Sequence, residues 1–350
     1  MKRINIYFVF SLFIAATFCN CILSYDATSF SQDAILLSGN SNPLLAEKIA
    51  LELGVSLGTA KISKFNDGEI NIQIKESVRG KHVFIVQSTC HCATQSINDS
   101  FMELILLIRT CKRSSAATIT VVLPYYGYAR QDRKNSPRVP ISAADVAAII
   151  EFAGADRVLT VDLHCGQIQG FFRDIPVDNL YAAMEFIPQL LEKNLVHPVV
   201  VSPDAGGVDR ANKFIQNLEK QGVTADMALI SKQRASAGVI SSMNLIGSVQ
   251  GADAIIVDDM CDTGGTLVKA AELLKRKGAR RVFVIVTHPV FSGDAMEKIR
   301  NSVIDELIVA DTIPLRGDVP ANITCVSVSN LIAQAIDRIY NSESVSELFQ

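Results

Sequence analysis

Tryptophan is absent from the 350 residues, and cysteine is thin, with eight residues spread from Cys19 to Cys325. That spacing excludes a disulfide scaffold, and no Cys-x-x-Cys pair meets a second pair at zinc spacing. Cys90-His91-Cys92 reads as a small polar loop after a strand in preference to a metal fragment. Excess charge of one sign is also missing: 33 Lys plus Arg face 36 Asp plus Glu, a net charge of −3, so bulk charge recruits no nucleic acid. A Gly-x-x-x-x-Gly-Lys-Ser/Thr loop is absent, which removes support for a P-loop kinase. What remains is 49% hydrophobic and 20% charged, too apolar for a disordered polymer and able to bury a sizeable core.

The first residues differ in composition from the rest. Lys2-Arg3 precedes an uncharged run from Ile4 to Tyr25, long enough to cross a bilayer. Residues 1–25 are therefore expected to be a signal-like segment, cleaved or retained as an anchor, or an upstream start placed before a soluble enzyme. Any membrane contact is expected only through this segment, and the final compartment stays open. The globular part is expected to begin near Ser31 to Ile35.

From there short β-branched runs alternate with longer amphipathic segments. Strands are expected at Ala34–Ser38, Val83–Gln87, Ile119–Leu123, Val158–Val161, Pro198–Ser202, Met227–Ser231, Ala254–Val257 and Arg281–Val286. Helices are expected at Pro43–Leu53, Ser96–Cys111, Ala143–Phe152, Asp209–Gln221 and Thr266–Lys277. Such alternation reads as parallel α/β, with ligands bound beyond the carboxyl ends of strands. The length favours two domains. An internal echo, Gly154-Ala155-Asp156-Arg157-Val158 leading to His164 and Gly278-Ala279-Arg280-Arg281-Val282 leading to His288, points to two similar halves, 33–180 and 181–349.

The strongest chemical motif is Asp258-Asp259-Met260-Cys261-Asp262-Thr263-Gly264-Gly265-Thr266, read as two acids at a strand end, a Gly-rich loop and a helix start. Gly264 and Gly265 let backbone N–H groups approach an anion, and the helix N-terminus adds donors and the positive end of a dipole. The combination suits a phosphate. Asp258 and Asp259 are then placed to accept from sugar hydroxyls or to hold a metal beside the phosphate.

This segment resembles the phosphoribosyl-pyrophosphate loop of the type I phosphoribosyltransferase fold. The resemblance sharpens in Asp162-Leu163-His164-Cys165-Gly166-Gln167-Ile168-Gln169-Gly170-Phe171-Phe172 followed by Pro176-Val177-Asp178, which is similar to the signature of ribose-phosphate pyrophosphokinases. Phe65-Asn66-Asp67-Gly68-Glu69, Pro124 through Arg133, Ser202-Pro203-Asp204-Ala205-Gly206-Gly207 and Glu343-Ser344-Val345-Ser346 follow in the same family's order, from about Ile35 to Phe349. The resemblance implies an α/β fold of two similar type I phosphoribosyltransferase-like domains, each a largely parallel sheet flanked by helices. It also implies a reaction in which the anomeric hydroxyl of ribose 5-phosphate attacks the β-phosphorus of ATP, giving phosphoribosyl pyrophosphate and AMP. In-line positioning and charge neutralisation are the main demands of such a transfer.

The resemblance assigns Phe65, Asp67, Gly68, Glu69, Arg130 and Gln131 to ATP, with the polar stretch through Arg138 as a lid. It makes Lys232 the catalytic lysine, with Arg234 beside it as a catalytic cation and ribose-5-phosphate contact on a tripeptide following a strand. Asp258, Asp262, Thr263, Gly264, Gly265 and Thr266 are assigned to ribose 5-phosphate, and His164 and Asp204 to Mg2+. Because that hard ion prefers oxygen, His164 is expected to act on phosphate or water where it does not ligate directly. Read from the residues alone, Asn66-Asp67-Gly68 is a β-turn. The family further implies a homohexamer built from dimers, activated by phosphate and inhibited by ADP.

Three departures touch the lid and the turns: an apparent insertion at Arg173, Pro137 in place of a polar loop residue, and Ala235-Ser236-Ala237-Gly238 where Ala-Asn is usual. Two rivals stand beside the synthetase reading. A phosphoribosyltransferase would share the Gly-rich loop but need neither the ATP motifs nor a second domain of similar size. A non-catalytic regulatory paralogue would have lost ligands that this chain keeps.

Overall fold

The computed structural model describes residue 30 and residues 33–236 and 239–349. The signal-like segment and two residues of the Lys-x-Arg departure, Ala237 and Gly238, lie outside the described residues. No helix among the described residues is long and apolar enough to cross a membrane.

In chain order the first half runs β1 (Ala34–Ser38), α1 (Pro43–Glu52), β2 (Ala60–Lys64), β3 (Ile70–Ile74), β4 (His82–Val86), α2 (Ile97–Arg113), β5 (Thr118–Leu123), α3 (Ser142–Ala153), β6 (Arg157–Val161) and β7 (Val177–Leu180). The second half runs α4 (Ala183–Leu191), β8 (Val199–Ser202), α5 (Val208–Lys220), β9 (Asp226–Ser236), β10 (Val239–Ile246), β11 (Asp253–Cys261), α6 (Gly265–Arg276), β12 (Arg281–Pro289), α7 (Ala295–Arg300), β13 (Glu306–Ala310), β14 (Ile323–Val326) and α8 (Ser329–Tyr340). A parallel sheet of order β1-β4-β5-β6-β7 serves the first half, with β2 and β3 as a separate antiparallel hairpin. The second sheet has the order β10-β9-β8-β11-β12-β13-β14 and is parallel except for its β9–β10 edge.

Strand periodicity sorts the apolar side chains between layers. On β1, Leu36 joins a central core while Ile35 and Leu37 face the other side of the sheet. That central core takes Phe84, Val122 and Leu159 from the first sheet and Val200, Ile255, Phe283 and Ile308 from the second. Helices α1, α4, α5 and α8 fill it through Leu45 and Ile49, Phe186, Phe214, and Ile332 and Ile336. Helices α2 and α3 close the outer face of the first sheet, and α6 and α7 that of the second. The start of α2 shows how sequence fixes an end: Ser96 Oγ accepts from the Asp99 amide at 3.2 Å, and Asp99 accepts from the Ser96 amide at 3.0 Å.

Several expectations need correction. The echo pairs β6 with β12, whereas element order matches β6 with β13, so it does not mark equivalent strands. Its common feature is a left-handed glycine after a helix, Gly154 after α3 and Gly278 after α6, which many helix-to-strand turns share. Asp258 and Asp259 do not end a strand, because β11 stays paired with β12 as far as Cys261 opposite Pro289. Lys232 and Arg234 do not sit after a strand either. They lie inside β9, opposite Met243 and Ile240 of β10, because the hairpin carries the strand through them. The body also starts earlier than expected, since Phe30 is buried in the central core against Phe84 at 5.7 Å.

Candidate active-site cleft

The carboxyl ends of β5, β6 and β8 open with β11 onto a cleft of about 1190 Å³ between the two halves. Arg130, His164, Asp204 and Asp258 line it, four residues drawn from four separate motifs. A second hollow of about 830 Å³ lies against the same wall of His164, Arg210 and Asp258.

The turn into the first side of the cleft is strained. Asp162 has φ 42°, and it is held across the halves by bonds from β12. Thr287 donates to its carboxylate at 2.7 Å, the Ala182 amide donates at 3.0 Å, and the His288 ring lies 3.0 Å from its carbonyl. A non-glycine residue keeps such a conformation only where its surroundings over-determine it. Two residues on, His164 Nδ1 meets Asp259 Oδ2 at 2.7 Å. That hydrogen bond raises the His164 pKa above its ordinary value, against the opposing effect of burial.

Asp258 and Asp259 share one cation, Arg210, whose Nη1 lies 3.5 Å from an oxygen of each. The two acids are pushed in opposite directions. Burial and the neighbouring Asp259 charge raise Asp258, whereas Asp259, also buried, is lowered by His164 and Arg210. Asp204, which follows the neighbouring strand β8, accepts from the amides of Gly206 at 3.1 Å and Gly207 at 3.2 Å, capping the turn into α5.

The Gly-rich loop follows β11. Gly264 has φ 73°, a conformation that favours glycine, and a Cβ built on Gly265 would meet nothing within 4 Å. The loop therefore leaves an open approach at the N-terminus of α6, where backbone N–H groups are unpaired by the helix itself. Arg130 reaches the loop through a 2.5 Å ion pair with Asp262. Burial would raise Asp262, but bonds from Ser292 and Arg130 outweigh it and leave its pKa lowered.

Other expected residues sit apart. Phe65, Asp67, Gly68 and Glu69 form the tip of the β2–β3 hairpin, where Gly68 N donates to Phe65 O at 3.0 Å in a β-turn and Phe65 is 55% exposed. Neither cleft includes them. Gln131 turns away to the start of α3, accepting from the Ser142 hydroxyl and the Ala143 amide. Lys232 and Arg234 follow Ser231, itself a cleft residue, along β9. At the apparent insertion, the amides of Arg173 and Asp174 both donate to Glu151 at 2.8 Å, so α3 holds the altered turn.

Arg210 escaped the sequence reading. Its signal was a cation in the first turn of a helix, where the dipole disfavours positive charge and a buried guanidinium needs acidic partners from elsewhere.

The Gly-rich loop lines neither hollow, but Arg130, a cleft residue, ties it to the wall through Asp262. A glycine-rich helix start joined in this way to a cleft at the ends of two parallel sheets defines a class of phosphate-handling α/β enzymes. Family profiles narrow this class: residues 34–154 match the N-terminal domain of ribose phosphate pyrophosphokinase, and residues 223–350 match the phosphoribosyl synthetase-associated domain. The chain is 51% identical over 321 residues to a ribose-phosphate pyrophosphokinase of Buchnera aphidicola, spanning 91% of this chain and 99% of that one. It is 52% identical over 314 residues to the ribose-phosphate pyrophosphokinase of Wolinella succinogenes, spanning 90% and 98%. The crystal structure of phosphoribosylpyrophosphate synthetase from Mycobacterium smegmatis superimposes with a TM-score of 0.81 at 38% identity, covering 89% of this chain and 100% of that one. The chain belongs to the ribose-phosphate pyrophosphokinase family.

Proposed function

We propose that the cleft between the two halves is where this enzyme transfers the β,γ-diphosphoryl group of ATP to the anomeric hydroxyl of ribose 5-phosphate. The oxygen at C1 forms a bond to the β-phosphorus, the bond from that phosphorus to the α,β-bridging oxygen breaks, and AMP leaves. The hydroxyl proton leaves O1 and is released to solvent, and the products are 5-phosphoribosyl 1-pyrophosphate and AMP. The observation that carries the reading is the convergence of Arg130, His164, Asp204 and Asp258 on one cleft, with Arg130 tied to the Gly-rich loop.

In this reading the loop from Asp262 to Thr266 cradles the 5-phosphate, and Asp258 accepts from the ribose hydroxyls. Arg130 supplies a planar fork for phosphate oxygens, and Lys232 and Arg234 bring positive charge to the transferring group. Phe65, Asp67, Gly68, Glu69 and Gln131 take the nucleotide. Since the hairpin tip lies outside the cleft, this assignment has it contribute by closure or from a second copy of the chain.

The donor set suits magnesium carried in on the triphosphate. His164, Asp204 and Asp258 reach one cleft, while no group of three or more His, Cys, Asp or Glu among the described residues is arranged as a full cage. A hard cation that keeps its waters and takes substrate oxygens needs only one or two carboxylates from the protein. When bound it would neutralise charge on the phosphates; Asp204 would hold it, with His164 acting on phosphate or water.

The same reading divides the body at 180/181, between the last strand of one sheet and the helix that leads into the other, and assembles it as a homo-oligomer, hexameric by resemblance. Light scattering on the purified protein tests the assembly. The reaction is tested by supplying ATP and ribose 5-phosphate and separating the nucleotide products. AMP that depends on ribose 5-phosphate is expected; ADP alone, or no consumption, overturns the reading.

A further inference from the structure

Asp259 belongs to the acidic pair that the sequence aims at sugar or metal and borders the cleft, yet its side chain is only 4% exposed and both its carboxylate oxygens face protein groups. Oδ2 lies 2.7 Å from His164 Nδ1, and Oδ1 lies 3.5 Å from Arg210 Nη1. His164, by contrast, keeps 34% of its side chain exposed and lines both hollows. An ionised carboxylate can only accept a hydrogen bond, so the ring nitrogen facing it must carry hydrogen. In the neutral ring, the lone pair then falls on Nε2.

We infer that Asp259, backed by Arg210, is a positioning residue for His164: it fixes the imidazole as the Nδ1–H form and turns Nε2 to the phosphate side of the cleft. A histidine that works through one nitrogen commonly has the other fixed in this way by a carboxylate. Arg210 lies 3.5 Å from an oxygen of each acid, so its charge offsets the repulsion between two carboxylates held close together. Division of labour follows. Asp258 is the member of the pair left for substrate, and Asp259 acts through His164.

The inference rests on the proposed reaction for its kinetic arm but not for its spectroscopic one. In full-length protein labelled with 15N-imidazole histidine, the His164 resonances, assigned with His164→Ala, are expected to report hydrogen on Nδ1 and a bare Nε2 at a pH where the ring is neutral. Asp259→Asn, whose amide both donates and accepts, is expected to give a mixture of ring forms. In the AMP assay the same variant is expected to lose about 10- to 100-fold in turnover, with saturation by ribose 5-phosphate unchanged. A double-mutant cycle guards against a merely structural effect: Asp259→Asn should cost nothing further in a His164→Ala background. A wild-type ring protonated on Nε2 alone overturns the inference, as does a raised KM for ribose 5-phosphate in Asp259→Asn or an undiminished loss in the His164→Ala background. An enzyme that forms no AMP removes the proposed reaction while leaving the ring-form result standing.

Discussion

Single residues carry the chemistry, and two of them give direct tests. Lys232→Ala is expected to lower turnover at least about a hundredfold with little change in thermal unfolding, because a charge aimed at the transition state is typically worth about 3 kcal/mol. Steady-state rates and a melting curve on the same preparation check both halves of that statement. Asp253 is the structural counterpart. Its side chain is inaccessible, and Arg280 and Arg281 both grip it, the latter at 2.7 Å. Burial would raise its pKa, but hydrogen bonds from those arginines and from the Val196 amide bring it down to about 2. A carboxylate lowered in this way stabilises the fold fully above its unfolded pKa of about 4 and loses the contribution as pH falls to about 2. Asp253→Asn should therefore be less stable than the parent in urea at pH 7, and the gap should narrow below about pH 4 and close near pH 2. At this scale the sequence revealed residues set in dense motifs, such as His164 and Asp204, both of which reach the cleft. Arg210 was hidden because its partners lie 48 and 49 positions away, on a strand that only the fold brings beside it.

The strand–loop–helix unit of β11 and α6 was legible for a physical reason: two adjacent glycines break the strand and permit the left-handed turn from which the amphipathic run of the helix starts. Its two glycines separate cleanly. Gly264→Ala is expected to lower stability by about 1–2 kcal/mol, since φ 73° is costly for a residue with a Cβ. Gly265→Val is expected to leave the melting temperature nearly unchanged but raise the KM for ribose 5-phosphate by about tenfold or more, because its side chain enters the open approach. If ATP saturation worsens instead, the loop belongs to the other substrate. Edge elements were less legible. Strands β7 and β14 have four residues each, and β2 reads Ala-Lys-Ile-Ser-Lys, so neither length nor alternation announces them. In the β9–β10 hairpin the sequence shows only Met227–Ser231 as a strand, with the Lys232-Gln233-Arg234 tripeptide after it, because an edge hairpin keeps polar residues that a central strand would not.

For the whole chain, the expected boundary of the first segment can be tested by truncation. Deleting Met1–Tyr25 should leave activity unchanged, whereas removing Phe30 as well should destabilise the body, because its ring stacks on Phe84 and meets Tyr340 at 5.0 Å. Burying a phenylalanine of this kind is worth about 3 kcal/mol or more. Melting temperature and turnover of the two truncations decide it. The two-layer repeat was visible as alternation, but the contact between repeats was not, since no local pattern records which faces of two sheets share a core. That shared core has a thermodynamic signature. Within it α1 of the first half packs on α8 of the second, so neither half can come away without exposing apolar surface of the other. Calorimetry should accordingly record one endotherm in place of two, and amides on β4 and β11 should exchange with deuterium at the same free energy of opening.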